Sequence, residues 1–349
     1  MLMVVFGAGA SYDSVPFLPP DKPPLQPVSA VSLTRPQFDR PPLADQLFET
    51  RPEFQKAMSL FQKCLPVIPY LQDPGATVER VLEKLKAEAN EYPEGQRQLA
   101  AIRYYLHFVL WELELRWDKV AQGVTNYKTL LDQIQRWRKP GQQVCLATFN
   151  YDRMLEAALP TVGIRIQDLN DYIASEDYKI IKLHGSTNWA REVHNVPFDV
   201  DSRNTWQVAF ELIDHAPDLV ISQNYRMVTG YPIGKLDGLA LFPALAIPLE
   251  TKLSFECPEE HLATLRQCIG KVSKLLIIGW RGMEDHFLRL LADNLPSGIP
   301  IVAVGKNLDD AKHTLLRVEG AGVKGDFRPT KEGFSHFVTQ REGDDFLKS

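Results

Sequence analysis

Short runs of wholly apolar residues alternate along this chain with longer stretches in which apolar positions recur every third or fourth residue. Met1 to Phe6 is apolar throughout and runs straight into Gly7-Ala8-Gly9-Ala10-Ser11. The same device, an apolar run opening into small or polar residues, recurs in "QQVCLATFNYD", "YKIIKLHGS", "SKLLIIGW" and "GIPIVAVGKN". Short runs without polar alternation predict strands buried on both faces. Between them "RMLEAAL", "EEHLATLRQCIGK" and "MEDHFLRLLADNL" carry the helical spacing.

Two stretches depart from this alternation. Val15 to Pro42 holds nine prolines and no sustained periodicity. Proline fixes φ and removes a donor, so the stretch predicts a long loop. From Leu43 to Arg138 the spacing is helical, in "VERVLEKLKAEAN", "RQLAAIRYYLHFVLWELEL" and "YKTLLDQIQRW". The organisation expected is one domain over 1–349 with a helical insertion over 43–138. Glu192 to Leu253 mixes turn signals such as Tyr231-Pro232-Ile233-Gly234 and yields no order of elements. Strands alternating with helices place the chain in the α/β class, as a Rossmann-like parallel sheet covered by helices on both faces.

Composition narrows the function classes. Hydrophobic residues make up 44% and charged residues 24%, which is ordinary for a globular chain. A net charge of −5 disfavours nucleic acid as the principal ligand. No apolar run reaches the roughly 18 residues of a membrane span. Cys64, Cys145, Cys257 and Cys268 form no C-x-x-C pair, which points away from zinc and from a disulfide framework. The compartment expected is the cytoplasm.

In an open α/β sheet, ligands sit beyond the carboxyl ends of the strands. Gly7-Ala8-Gly9, Thr148-Phe149-Asn150, His184-Gly185-Ser186 and Gly279-Trp280 all follow such strands and are expected to converge on one crevice. The glycines near Ser11 let backbone amides approach a pyrophosphate. Tyr12 stands where the dinucleotide fingerprint G-x-G-x-x-G has its third glycine, which disfavours a hydride-transferring dehydrogenase. Asn150 and Asp152 suit ribose hydroxyls or a water; alternatively they cap the following helix, a role that fits Asp152 better. His184 is placed to act as a general base, or else is a structural histidine beneath a loop. The other seven histidines lie outside comparable turns and are assigned structural roles.

Taken in this order, the motifs resemble the sirtuin family. Gly7, Ala8, Gly9 and Ser11 match its Gly-Ala-Gly-x-Ser turn. Thr148, Asn150 and Asp152 match Thr-Gln-Asn-x-Asp, with Phe149 in place of the glutamine. His184-Gly185-Ser186 matches the His-Gly of the catalytic histidine, and Ile278-Gly279-Trp280 a late cofactor turn. Asn307, in Gly305-Lys306-Asn307, corresponds to a contact with the adenosine. No cysteine follows His184 until Cys257, so the four-cysteine zinc module of the protein deacylases is missing. With its large helical block, the chain is similar to the divergent bacterial sirtuin-like group, which includes NAD+-hydrolysing effectors of antiphage defence.

That resemblance implies NAD as substrate, with no metal. It implies catalytic roles for Asn150, His184 and Asp152. Gly7, Ala8, Gly9, Ser11, Thr148, Gly185, Ser186, Gly279, Trp280 and Asn307 would bind the dinucleotide, with the proline-rich stretch as its lid. The activity expected is NAD+ glycohydrolysis. Protein deacylation, ADP-ribosyl transfer, or NAD or ADP-ribose binding without turnover are the alternatives. An activating partner protein or a homo-oligomer is expected, since an unrestrained NAD+ hydrolase would poison its host.

Overall fold

The computed structural model describes residues 1–15, 40–73, 75–121, 123–230, 232–249 and 255–348. Most of the proline-rich stretch, with its assignment as a lid, therefore lies outside the described residues, as do Tyr231 and Lys252.

Each apolar run forms the strand expected of it. β1 (Leu2–Phe6), β2 (Val144–Thr148) and β3 (Tyr178–Lys182) precede a second group, β4 (Gly185–His194), β5 (Val220–Met227), β6 (Lys235–Leu236) and β7 (Leu239–Leu245). β8 (Lys274–Ile278), β9 (Ile299–Val304) and β10 (Gly325–Pro329) complete the set. Six of them build one parallel sheet in the order β10-β9-β8-β1-β2-β3. Counting only these strands along the chain, the order is 3-2-1-4-5-6, that of the dinucleotide-binding doubly wound fold. Its direction reverses between β1 and β8.

Strand side chains alternate between two apolar layers. Leu2, Val4 and Phe6 share a layer with Leu146, Ile180 and Ile278, under the helices Asn126–Trp137 and Phe334–Thr339. Met3 and Val5 share the opposite layer with Ala147, Ile181 and Ile277, under Glu259–Ile269, Asp285–Asn294 and Leu308–Gly320. Both faces are thus covered, which is why the strands read as unbroken apolar runs. Each large apolar side chain buried in these layers contributes about 1.5–3 kcal/mol.

The stretch that yielded no order, 192–253, contributes to an antiparallel sheet in the order β5-β4-β7-β6. The helices Pro52–Leu60, Val78–Ala89 and Pro93–Ala121 pack on it. Phe54, Phe61, Leu82, Tyr104 and Val109 share one core with Val208, Leu212, Phe242 and Leu245. Residues 43–138, expected as a helical insertion, divide their packing between the two sheets. The first part joins the antiparallel sheet as a second lobe, and the last helix, Asn126–Trp137, covers the parallel sheet. The helical spacing was the same in both parts and carried no information on which sheet each would cover.

Candidate functional site at the carboxyl edge

β8, β1, β2 and β3 are parallel neighbours, so Gly279, Gly7, Thr148 and the residues after Lys182 all leave the sheet along one edge. Where the order reverses, the first and last turns meet backbone to backbone. Gly7 N–H donates to Ile278 O at 2.9 Å and Gly9 N–H to Gly279 O at 3.0 Å. A Cβ on Gly7 would lie 2.5 Å from Trp280 Cα. Gly279 has φ +61°, and a Cβ there would lie 2.2 Å from Ala10 N. These glycines are required first by the close approach of two turns. The Ala10 amide donates to Gly7 O at 2.9 Å, so two of the amides expected to cradle a pyrophosphate already have protein partners. Ala8, between the two glycines, is exposed.

β2 ends in Thr148, whose hydroxyl accepts the Asn150 N–H at 3.1 Å. Asn150 is buried, and its Nδ2 lies 2.9 Å from each of Gly7 O, Ser11 Oγ and Tyr127 Oη. The carbonyl of Gly7 can only accept, which fixes the amide's orientation. Asn150 Oδ1 is then a buried acceptor with no hydrogen-bond partner among the described residues. Ser11, foreseen as a cofactor contact, is buried and 2.9 Å from Tyr127 Oη.

Asp152 accepts the Met154 N–H at 3.0 Å, a turn bond just ahead of the helix Met154–Ala158, whose N-cap position is Arg153 and not Asp152. Burial pushes its carboxyl upward in pKa, while the Lys182 charge and the bonds from Met154 and Ser11 pull it back. Lys182, fully buried, lies 2.5 Å from Asp152 O and 3.0 Å from Glu156 Oε1. Arg153 next along is clamped by Glu114 of the long helix, through its own N–H and its guanidinium, each at 2.8 Å.

His184 follows β3 by two residues and is buried. Its ring meets the edge of Phe149 at 4.9 Å and lies 6.0 Å from Tyr151. Its Nε2 is 3.7 Å from Glu284 Oε1, while Glu284 Oε2 accepts the Trp280 Nε1–H. Phe149 stacks on Trp280 at 5.2 Å and 10°, and so packs the late turn against the histidine.

The remaining foreseen residues are occupied locally. Gly185 has φ +80°, and a Cβ there would lie 1.8 Å from Ala244 O, where β4 meets β7. Ser186 is buried, its hydroxyl donating to Asn188 Oδ1 at 2.8 Å. Asn307, beyond β9, is an N-cap whose side chain accepts the Asp310 N–H at 2.9 Å. Tyr127, Glu284 and Glu114 were not foreseen. Tyr127 reads as one more apolar helix position, and nothing in the spacing of "GMEDHF" separates Glu284 from Asp285.

An open cleft of about 770 Å³ lies between the helical lobe and Arg281, the residue after Trp280. Asp45, Glu49, Asp73 and Glu79 outnumber Arg51 and Arg281 in its walls, which favours a cationic over an anionic guest. None of the foreseen site residues lines this cleft. Among the described residues no group of three metal-ligating side chains is gathered.

No protein-family model and no curated protein matches the chain. Solved structures do. A Sir2 homolog in complex with NAD is 15% identical, with 99% of this chain and 90% of that one covered and a TM-score of 0.42. A mutant of Sir2 homologues with 2′-O-acetyl ADP ribose is 15% identical, with 100% and 93% covered and a TM-score of 0.40. Sir2 bound to an acetylated peptide is 12% identical, with 100% and 94% covered and a TM-score of 0.38. At these values the likeness leaves every residue's role to the geometry of this chain.

Proposed function

We propose that this chain binds NAD+ along the carboxyl edge of the parallel sheet and hydrolyses its nicotinamide–ribose bond. The observation that carries the proposal is Asn150, held by contacts on Nδ2 with Oδ1 buried and, among the described residues, without a partner, at the edge that also presents His184. A buried acceptor without a donor costs about 1–3 kcal/mol, and a water or a ribose hydroxyl supplies one.

The chemistry asks little of an acid. The C1′–N bond breaks with its electron pair leaving on nicotinamide, which departs neutral from a cationic ring. Water oxygen forms the new bond to C1′, and its proton passes to His184. Asn150 orients the water or the ribose hydroxyl, so that the reacting atoms are held in line. The biological setting we propose is that of a NAD-depleting effector in bacterial antiphage defence, restrained until a partner protein or self-assembly releases it.

Purified protein incubated with NAD+ and no protein acceptor decides among the readings. Release of nicotinamide and ADP-ribose, lowered at least about 100-fold by His184→Ala and by Asn150→Ala, is the expected result. Turnover that requires an acyl-lysine peptide or a protein acceptor identifies a deacylase or an ADP-ribosyltransferase. Bound NAD+ with no turnover, in the presence of candidate partners as well, rejects hydrolysis.

A further inference from the structure

Among the described residues Glu284 presents a carboxylate to the imidazole of His184, at 3.7 Å from Nε2. It sits at the N-terminal end of the helix Asp285–Asn294, and its other oxygen is held by the indole N–H of Trp280. Trp280 is itself pinned, stacked on Phe149 and edge-on to Phe287 at 5.4 Å. Both side chains are largely shielded, Glu284 at 13% and His184 at 5% exposure, so their electrostatic interaction is screened less than a surface pair's.

We propose that Glu284 is a positioning residue for His184: it orients the imidazole and stabilises the imidazolium formed when the ring takes a proton. This rests on the hydrolase reading for its catalytic consequence, but the pairing itself does not. Two further described groups near the ring are engaged elsewhere. Tyr151 faces it from the β2 turn, and its hydroxyl donates to Ala246 O at 2.7 Å. Glu256 pairs with His184 through the backbone, while its carboxylate meets Arg191 and Tyr225. A carboxylate close to a histidine favours the charged form, commonly by a unit or more. Glu284→Gln keeps an acceptor for Trp280 and removes the charge.

Two measurements test the pair. The first is the pH profile of nicotinamide release. With Glu284→Gln the plateau falls about tenfold or more, because the imidazolium formed in the transition state loses its partner. The acid limb simultaneously moves about one unit to lower pH, because neutral His184 persists further into acid. A merely structural role lowers the plateau and leaves the limb in place, and that result overturns the proposal. Glu284→Asp, which keeps the charge, restores the limb toward its original position.

The second is an NMR titration of the His184 ring in the free protein, assigned by difference against His184→Gln and independent of turnover. A downward shift of about one unit in Glu284→Gln supports the pair, and an unchanged titration overturns it. A shifted titration in a protein that never releases nicotinamide supports the pair while rejecting hydrolysis.

Discussion

Asn150 Nδ2 has two hydrogens and three acceptors around it, so Gly7 O takes one and the hydroxyls of Ser11 and Tyr127 compete for the other. The competition closes into a chain, because the two hydroxyls also bond each other and Ser11 bonds Asp152. Tyr127 is therefore the outer support of the asparagine, reaching it from the helix that precedes β2. Tyr127→Phe removes one hydroxyl and leaves the ring's packing against Phe6 and Phe334 intact. The expected cost in a urea titration is about 1 kcal/mol. On the hydrolase reading proposed above, nicotinamide release falls by a larger factor than NAD+ affinity, since a loosened amide would misplace the water more than the dinucleotide. At this scale the sequence was legible where a residue ends a strand. Asn150, His184 and Gly279 announce themselves by position, whereas Tyr127 and Glu284 arrive through packing and carry no local mark.

The turns after β1 and β8 are the element on which the edge depends, since they touch without intervening side chains. Gly279→Ala adds a methyl 2.2 Å from Ala10 N and 2.5 Å from Gly9 C, at φ +61°. Gly298→Ala is the matched control, with φ +77° and nothing within 4 Å of its Cβ. The control isolates the left-handed strain, about 1–2 kcal/mol. Gly279→Ala is expected to cost at least about 3 kcal/mol, read as the difference in denaturant midpoint with unchanged slope. Among the strands, those buried on both faces were legible as apolar runs. β10, in "GDFRP", was not, because it is an edge strand with alternate residues exposed and a proline at its end. Among the antiparallel strands β5 was hidden for a similar reason: half of its residues are polar and none is buried, so no face of it stands out along the chain.

At the scale of the whole molecule, the two lobes are joined through the long helix Pro93–Ala121. Its Glu114 clamps Arg153 and accepts the Thr187 hydroxyl at 2.8 Å, and its His107 Nε2–H donates to Thr187 O at 2.7 Å. The helix itself was plain in the sequence, but its two buried polar residues read as interruptions of an apolar stretch rather than as a joint. Burial holds the His107 pKa down to about 4, against its ordinary 6.5, with the Thr187 carbonyl pulling it up and Arg153 pushing it further down. The sign follows from where protons bind. Above pH 6.5 the ring is neutral in both states. Between 6.5 and 4 the unfolded chain takes up a proton that the folded chain refuses, so stability falls as the solution is acidified. The lost contribution amounts to about 3 kcal/mol by pH 4, with a steepest slope near 1.4 kcal/mol per pH unit. Burial raises the Glu114 pKa, so that carboxylate works in the opposite direction, and the bare pH profile contains both. His107→Gln keeps a donor to Thr187 O and removes the titration. The difference between the two proteins' urea-derived stabilities should therefore shrink steadily in favour of the variant from pH 6.5 to pH 4. Parallel curves across that window would mean that His107 is protonated as readily in the folded joint as in water.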